Sequence, residues 1–289
     1  MTLMQFCVTR YIVDRVNLSD GAAQQIKINV QSFENSCDSV LQLEEIKPEH
    51  IRKMMKDLIR AGRSARTANN KRSTVLTLLR SAAASGLCQI PPKVERAEEP
   101  RRSPKAWTPC EMNMILVGTD LIKWPEGWSA AHMRALLLAI YDTSHRVGAI
   151  LKADKPQLDR NGRLHMYAEQ TKQKADTIHT LHPETLEAIA QLPRSRSTKL
   201  FPWPKSQRRL YEFLRRLLQK VGLPCTRRDL FHKFRRTSYT LVWATSGADA
   251  ASKHAGHATN LQRAYLDLEL ARQIRGEKSP IDLMPRPAA

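Results

Sequence analysis

The sequence predicts a mainly α-helical protein with one small β element, arranged in two domains. Three observations predict it. Apolar residues recur at spacings of three and four over most of the chain. Helix start and stop signals bracket those stretches. A proline-rich, charged stretch of about 17 residues interrupts them once, which is the composition of a linker. For 289 residues, two domains of ordinary size is also the expectation from length.

Taken in order, residues 21–37 place Ala22, Ile26, Val30 and Phe33 on one helical stripe. Pro48 opens the next helix, with Ile51, Met54, Met55, Leu58 and Ile59 on one face and Gly62 as its stop. Ser64 caps a third, whose inner face is Ala68, Val75, Leu79, Ala82 and Ala83, with Gly86 at its end. Residues 1–89 therefore read as a helical domain. Residues 90–106, with prolines at 91, 92, 100 and 104, read as the linker. Thr108-Pro109-Cys110-Glu111 is a capping box with proline in the first turn, and it marks the start of a second domain over 107–289. There the run Ala135-Leu136-Leu137-Leu138-Ala139-Ile140 is apolar all round and predicts a buried helix over 131–141. Residues 164–168 and 177–181 predict two strands around a turn near Gln173. Helices are expected over 183–192, 207–221, 230–245, 248–254 and 261–274, followed by a polar tail.

Lysine and arginine total 47 against 28 acidic residues, a net charge of +19. Such an excess points to a polyanion, and nucleic acid is the commonest one. The cations are spread over nearly every expected helix, unlike the single amphipathic stripe of a membrane-surface protein. Aromatic residues are only 6%, too few for rows of base-stacking rings. Duplex DNA or structured RNA remains. On the third helix Arg63, Arg66, Lys71 and Arg72 form a single-signed outer face, a candidate DNA contact. The five cysteines form no C-x-x-C pair, so they read as reduced thiols of a cytoplasmic protein, nucleoid-associated if bacterial. No run of about 18 apolar residues suggests a membrane span.

No phosphate-binding glycine loop, no H-E-x-x-H and no carboxylate cluster suited to magnesium is visible. Cleavage of a nucleic acid would then use a side-chain nucleophile, with cations to hold the charge on the reacting phosphate. Four patterns meet that need. Arg146 follows the buried helix within Thr143-Ser144-His145-Arg146. Lys172 and Lys174 sit at the turn of the hairpin. His232 and Arg235 make a His-x-x-Arg pair in His232-Lys233-Phe234-Arg235-Arg236-Thr237. Gly256-His257 precedes Tyr265 by eight residues.

In this order and at these separations the patterns resemble the catalytic domain of the tyrosine recombinases (phage integrases). Thr67-Ala68-Asn69-Asn70-Lys71-Arg72 and the following Leu78-Leu79-Arg80-Ser81-Ala82 are similar to that family's core-binding domain. The resemblance covers nearly the whole chain. It implies a helical, SAM-like core-binding domain followed by a mixed α/β catalytic domain. It implies site-specific cleavage and rejoining of duplex DNA through a 3′-phosphotyrosyl intermediate. Arg146 and Arg235 would hold the scissile phosphate, Lys172 would protonate the leaving 5′ oxygen, and His232 and His257 would act as acid/base or hydrogen-bond donors. Tyr265 would be the nucleophile. No metal and no ATP would be needed, and a homotetramer would form on synapsed DNA.

Three departures stand out: Ser144 where the family has glycine, Ala149 where it often has an acidic residue, and a spacing from His257 to Tyr265 about one residue shorter than the family's. Lys174 competes with Lys172 as general acid, lying on the same face if the strand continues. Taken alone, Tyr265 reads as a core aromatic among Leu261, Ala264, Leu268 and Leu270. His254 with His257 makes a poor metal site, because no cysteine or carboxylate lies at ligand spacing. A catalytically silent DNA-binding relative and a type IB topoisomerase-like nicking-closing enzyme stay open as alternatives.

Overall fold

Helix caps set most of the element boundaries in the computed structural model, which describes residues 1–90, 93–100, 103–171, 174–256 and 265–275. Two compact units result, Met1–Arg101 and Arg102–Ala289.

In the first unit a short helix α1 (Leu3–Phe6) is capped by a reciprocal Thr2/Gln5 box and runs on into a wider turn, Cys7–Tyr11. Three longer helices follow. Helix α2 (Asp20–Glu34) starts at Ser19, α3 (Pro48–Arg60) has its proline in the first turn, and α4 (Ala65–Ala84) is capped by Ser64. Leu3, Phe6, Val30, Phe33, Ile51, Met54, Val75 and Leu79 meet in one core.

The stretch expected to be a linker is packed at both ends. Val94 is 1% exposed and joins the first unit's core, and Ala106 and Trp107 are buried in the second unit. Side chains of α4 hold the first end. The amide nitrogen of fully buried Asn69 donates to the Ala97 carbonyl (2.8 Å) and to Glu99 (2.7 Å), while its oxygen accepts from the Ala97 N–H (2.9 Å). The Arg72 Nε donates to the Val94 carbonyl (2.9 Å). Polar composition alone gave no sign of this, because it is side-chain hydrogen bonding to the backbone. We predict that Asn69→Ala lowers unfolding stability by about 2 kcal/mol, since it strands both backbone polar groups of Ala97. Denaturant melts of the full chain check this, and an unchanged midpoint would rule out the strapping role.

The second unit opens with α5 (Pro109–Gly118), whose Thr108/Glu111 box forms as expected. Helix α6 (Ala130–Thr143) is almost wholly buried, followed by a single turn, α7 (Val147–Ile150). Strands β1 (Arg163–Met166) and β2 (Thr177–Thr180) pair antiparallel, with Arg163 opposite Thr180 and Met166 opposite Thr177. Helix α8 (Pro183–Ala190) packs on α6 and α9 (Gln207–Lys220) on α5, with Leu186, Leu210, Leu214 and Leu217 joining one core. Helix α10 (Phe231–His254) is interrupted at Gly247, where φ is 86° and ψ 179°, so the two helices expected here are two helical segments meeting at a glycine break. Of the single helix expected over 261–274, residues 261–264 lie outside the described residues, and the described part is not one continuous helix. The chain leaves helical conformation at Leu266–Asp267 and restarts as α11 (Leu268–Arg275). The cause is a side-chain cap, in which Asp267 Oδ1 accepts the Leu270 N–H at 3.3 Å. Among the described residues no helix is long and apolar enough to cross a membrane.

Candidate active site

Helix α6 ends because Ser144 adopts a left-handed conformation, φ 55° and ψ 17°. That is the position where a glycine was expected, and the positive φ explains the preference. Serine takes the conformation at a cost of about 1 kcal/mol. Its Oγ donates to the Arg235 carbonyl at 3.4 Å, which offsets part of that cost. The turn sets Arg146 at the start of α7, half-buried.

Helix α10 presents His232 at its exposed start and Arg235 one turn on, 1% exposed. The Arg235 guanidinium donates to the Ser144 carbonyl and, at 2.8 Å, to the Ala255 carbonyl. It therefore ties the turn before Arg146 to the end of α10. Its Cζ lies 5.3 Å from the centre of the Tyr265 ring, and the His232 ring centre lies 6.3 Å from the same ring. Burial pushes the Arg235 guanidinium down to about 10, with Tyr265 opposing the fall and Arg146 adding to it. It is still charged at neutral pH.

Tyr265 is 9% exposed and packs on Tyr239, 5.8 Å between ring centres. It shares a small core with Ala244, Ala251, Ala255 and Leu266. This core differs from the one expected from helical spacing: Leu268 is exposed, and Leu261 and Ala264 lie outside the described residues. Four of the six residues singled out for catalysis, Arg146, His232, Arg235 and Tyr265, come together from three separate segments. Lys172 and His257 lie outside the described residues.

Lys174 does not extend a strand. A short turn, Ala168–Gln170, follows β1, and Lys174 is exposed in the connection with φ 51°. The condition that would have put it on the same strand face as Lys172 is therefore not met. In the first unit Arg63 and Arg66 are exposed, and Lys71 and Arg72 half-buried. Partial burial lowers the Lys71 pKa, and the charge of Arg63 lowers it further, so these two cations feel one another. Arg72 serves as a clamp on Val94.

Three histidines stand beside Arg235; His145 and His179 were not singled out from the sequence, and His254 was weighed there only as a metal ligand. His145 (7% exposed) shares a 3.0 Å hydrogen bond between its Nε2 and Thr177 Oγ1. Its ring lies 4.8 Å from that of His179, which lies 5.8 Å from that of His254. The His254 Nε2 bonds Ser238 Oγ at 2.9 Å. Burial, then the charge of His179 and of Arg235, drives His145 down to about 3. Burial and the neighbouring His254 take His179 to about 4. Among the described residues no group of three or more His, Cys, Asp or Glu is arranged to hold a metal ion. The only sequence signal was the position of His145 inside the Thr-Ser-His-Arg motif.

No protein-family model matches the sequence, and no curated protein is similar to it at the sequence level. Solved structures do match in fold. A lambda integrase dimer bound to a COC′ core site superposes with a TM-score of 0.69 at 19% identity, over 95% of each chain. A variant of the Tn1549 transposon integrase in complex with transposon right end DNA gives 0.71 at 16% identity, over 94% of this chain and 98% of that one. A lambda integrase tetramer bound to a Holliday junction gives 0.69 at 19% identity, over 89% of this chain and 78% of that one. The small β-hairpin, the buried α6 and the helix carrying His232 and Arg235 are thus parts of a shared architecture: the chain has the tyrosine recombinase (integrase) fold.

Proposed function

We propose that the protein is a site-specific DNA strand transferase that cuts and rejoins duplex DNA through a tyrosyl intermediate. The placing of His232 and Arg235 against the Tyr265 ring, with Arg146 near enough for its charge to act on Arg235, carries this reading, because three separate segments bring these chemically matched groups together. The Tyr265 Oη attacks phosphorus, a Tyr–O–P bond forms at the 3′ side, and the P–O5′ bond breaks. The phenol's proton passes to an acceptor, and Lys172 delivers a proton to the departing 5′ oxygen. Arg146 and Arg235 hold the non-bridging oxygens with fixed guanidinium forks, and His232 and His257 donate or shuttle protons at the same phosphate. The bond energy stays in the phosphotyrosine, so rejoining needs neither ATP nor a metal. Arg63, Arg66 and Lys71 add phosphate contacts from the first unit, and strand exchange takes place in a tetramer on paired duplexes. The solved complexes of similar fold, on core-site DNA and on a Holliday junction, support both proposals.

A nicked suicide duplex, drawn from a pool of source-genome fragments, tests the reading. Wild type is expected to yield a denaturation-resistant protein–DNA adduct, and Tyr265→Phe none, with salt-sensitive binding kept. An adduct that survives in Tyr265→Phe would overturn the nucleophile. A second reading rests on the 9% exposure of Tyr265. If its segment never leaves that packing, the protein is a silent DNA-binding relative, and wild type will bind DNA without forming an adduct.

A further inference from the structure

A buried carboxylate just after Tyr265 has no part in the chemistry described above. Asp267 is 4% exposed, and a carboxylate so placed must be hydrogen-bonded to be tolerated. Its partners are backbone. Oδ2 accepts the Ala106 N–H at 2.8 Å, and Oδ1 accepts the Leu270 N–H at 3.3 Å, starting α11. Its own N–H donates to Thr240 Oγ1 at 3.1 Å, and that hydroxyl donates on to the Tyr265 carbonyl at 3.4 Å. Lys105 and Arg236 both feel its charge.

The segment that Asp267 grips is itself fixed to α10. The Trp107 N–H donates to Thr237 Oγ1 at 2.8 Å. The Lys233 ammonium, 5% exposed, sits 3.4 Å from the Trp107 ring centre and 3.5 Å from Asp229. Lys105 pairs with Glu269, an exposed contact of little energy. Three successive residues, Lys105, Ala106 and Trp107, thus join the helix bearing His232 and Arg235 to the segment bearing Tyr265.

We infer that Asp267 is a positioning residue for Tyr265. With Thr240 it fixes the backbone on the C-terminal side of the nucleophile, and through Ala106 it references that backbone to α10. The inference rests on the proposed role of Tyr265. Its energetic logic is that a shift of about 1 Å in a reacting group can cost about 100-fold in rate, whereas ground-state DNA binding does not depend on it.

The test uses the full chain and the duplex recovered from the wild-type adduct. Asp267→Ala is expected to slow single-turnover adduct formation about 10- to 100-fold, with DNA affinity within about twofold of wild type. Asp267→Asn keeps one acceptor oxygen and should recover part of the rate. Thr240→Val should give a similar loss, and the double variant should lose much less than the product of the two, because both act on one bonded unit. A duplex with sulfur in place of the scissile 5′ bridging oxygen needs no proton on its leaving group, so it will not rescue Asp267→Ala if attack is what suffers. Full rescue by sulfur, an unchanged rate or a faster rate would each overturn the inference. A separate measurement does not depend on turnover. Amide exchange over 265–275 in the free protein should accelerate in Asp267→Ala, and unchanged protection there would overturn the inference even if wild type forms no adduct. Absence of the wild-type adduct with accelerated exchange would instead remove the proposed activity and leave the anchoring role standing.

Discussion

Replacing Arg235 by alanine is expected to abolish measurable strand cleavage and to lower stability by about 3–5 kcal/mol, the cost of breaking a buried, charged hydrogen-bond network. Both losses come from one guanidinium. It is buried, and it donates to the Ser144 and Ala255 carbonyls. Alanine would strand those two carbonyls and leave a cavity beside Tyr265. Arg235→Lys separates the two roles. A lysine keeps the charge but is a point donor without the planar fork, so it cannot reach two carbonyls and a phosphate with fixed geometry. The lysine variant should regain about half of the lost stability, yet its single-turnover rate should stay about 10²–10³-fold below wild type, the range for losing one preorganised transition-state donor. Denaturation midpoints and adduct-formation rates measure the two effects independently. A lysine variant with wild-type rates would show that the fork is only a crosslink and that the phosphate is held elsewhere.

The parts of this fold that were legible in the sequence are those fixed by short-range bonding. The Thr108/Glu111 box, Pro48 in a first turn, Ser64 as a cap and the glycine break at 247 each depend on residues within four positions of one another. Arg146, His232, Arg235 and Tyr265 were singled out for another reason: their order resembles that of the tyrosine recombinase catalytic domain. Contacts between distant segments were not legible. Asn69 and Ala97 are 28 residues apart, Ala106 and Asp267 161 apart, and no local pattern reports either bond. Strand β2 even reverses the hydrophobic expectation. Ile178 is 60% exposed, whereas His179 turns inward toward His145 and His254. An apolar residue facing out and an imidazole facing in cannot be read from alternation, because what decides it is the polar neighbourhood that α6 and α10 bring to that face.

That inward row makes stability depend on pH above the range where carboxylates titrate. His145 and His179 have folded values of about 3 and about 4, against 6.5 for an unconstrained imidazole. His254 is also lowered, by burial first, with Asp142 opposing and Arg235 adding to the fall. A base whose folded pKa is depressed binds more protons when unfolded, so stability is fully present above about 6.5 and falls as the pH is lowered toward 4 and 3. Each of the two should cost about 2 kcal/mol of stability between pH 6.5 and pH 5. The shifted carboxylates act lower, Asp159 having a folded value of about 2 against 3.8. His132 is lowered as well, by burial away from this row, so a variant is needed to isolate the effect. We predict that His145→Leu/His179→Val loses about 4 kcal/mol less than wild type on going from pH 7 to pH 5, measured by urea unfolding at each pH. An identical loss in both proteins would refute the assignment. If it holds, the two imidazoles are neutral at working pH. They place polar but uncharged groups beside Arg235, which spares that buried guanidinium the like-charge repulsion that imidazolium rings would add to that of Arg146.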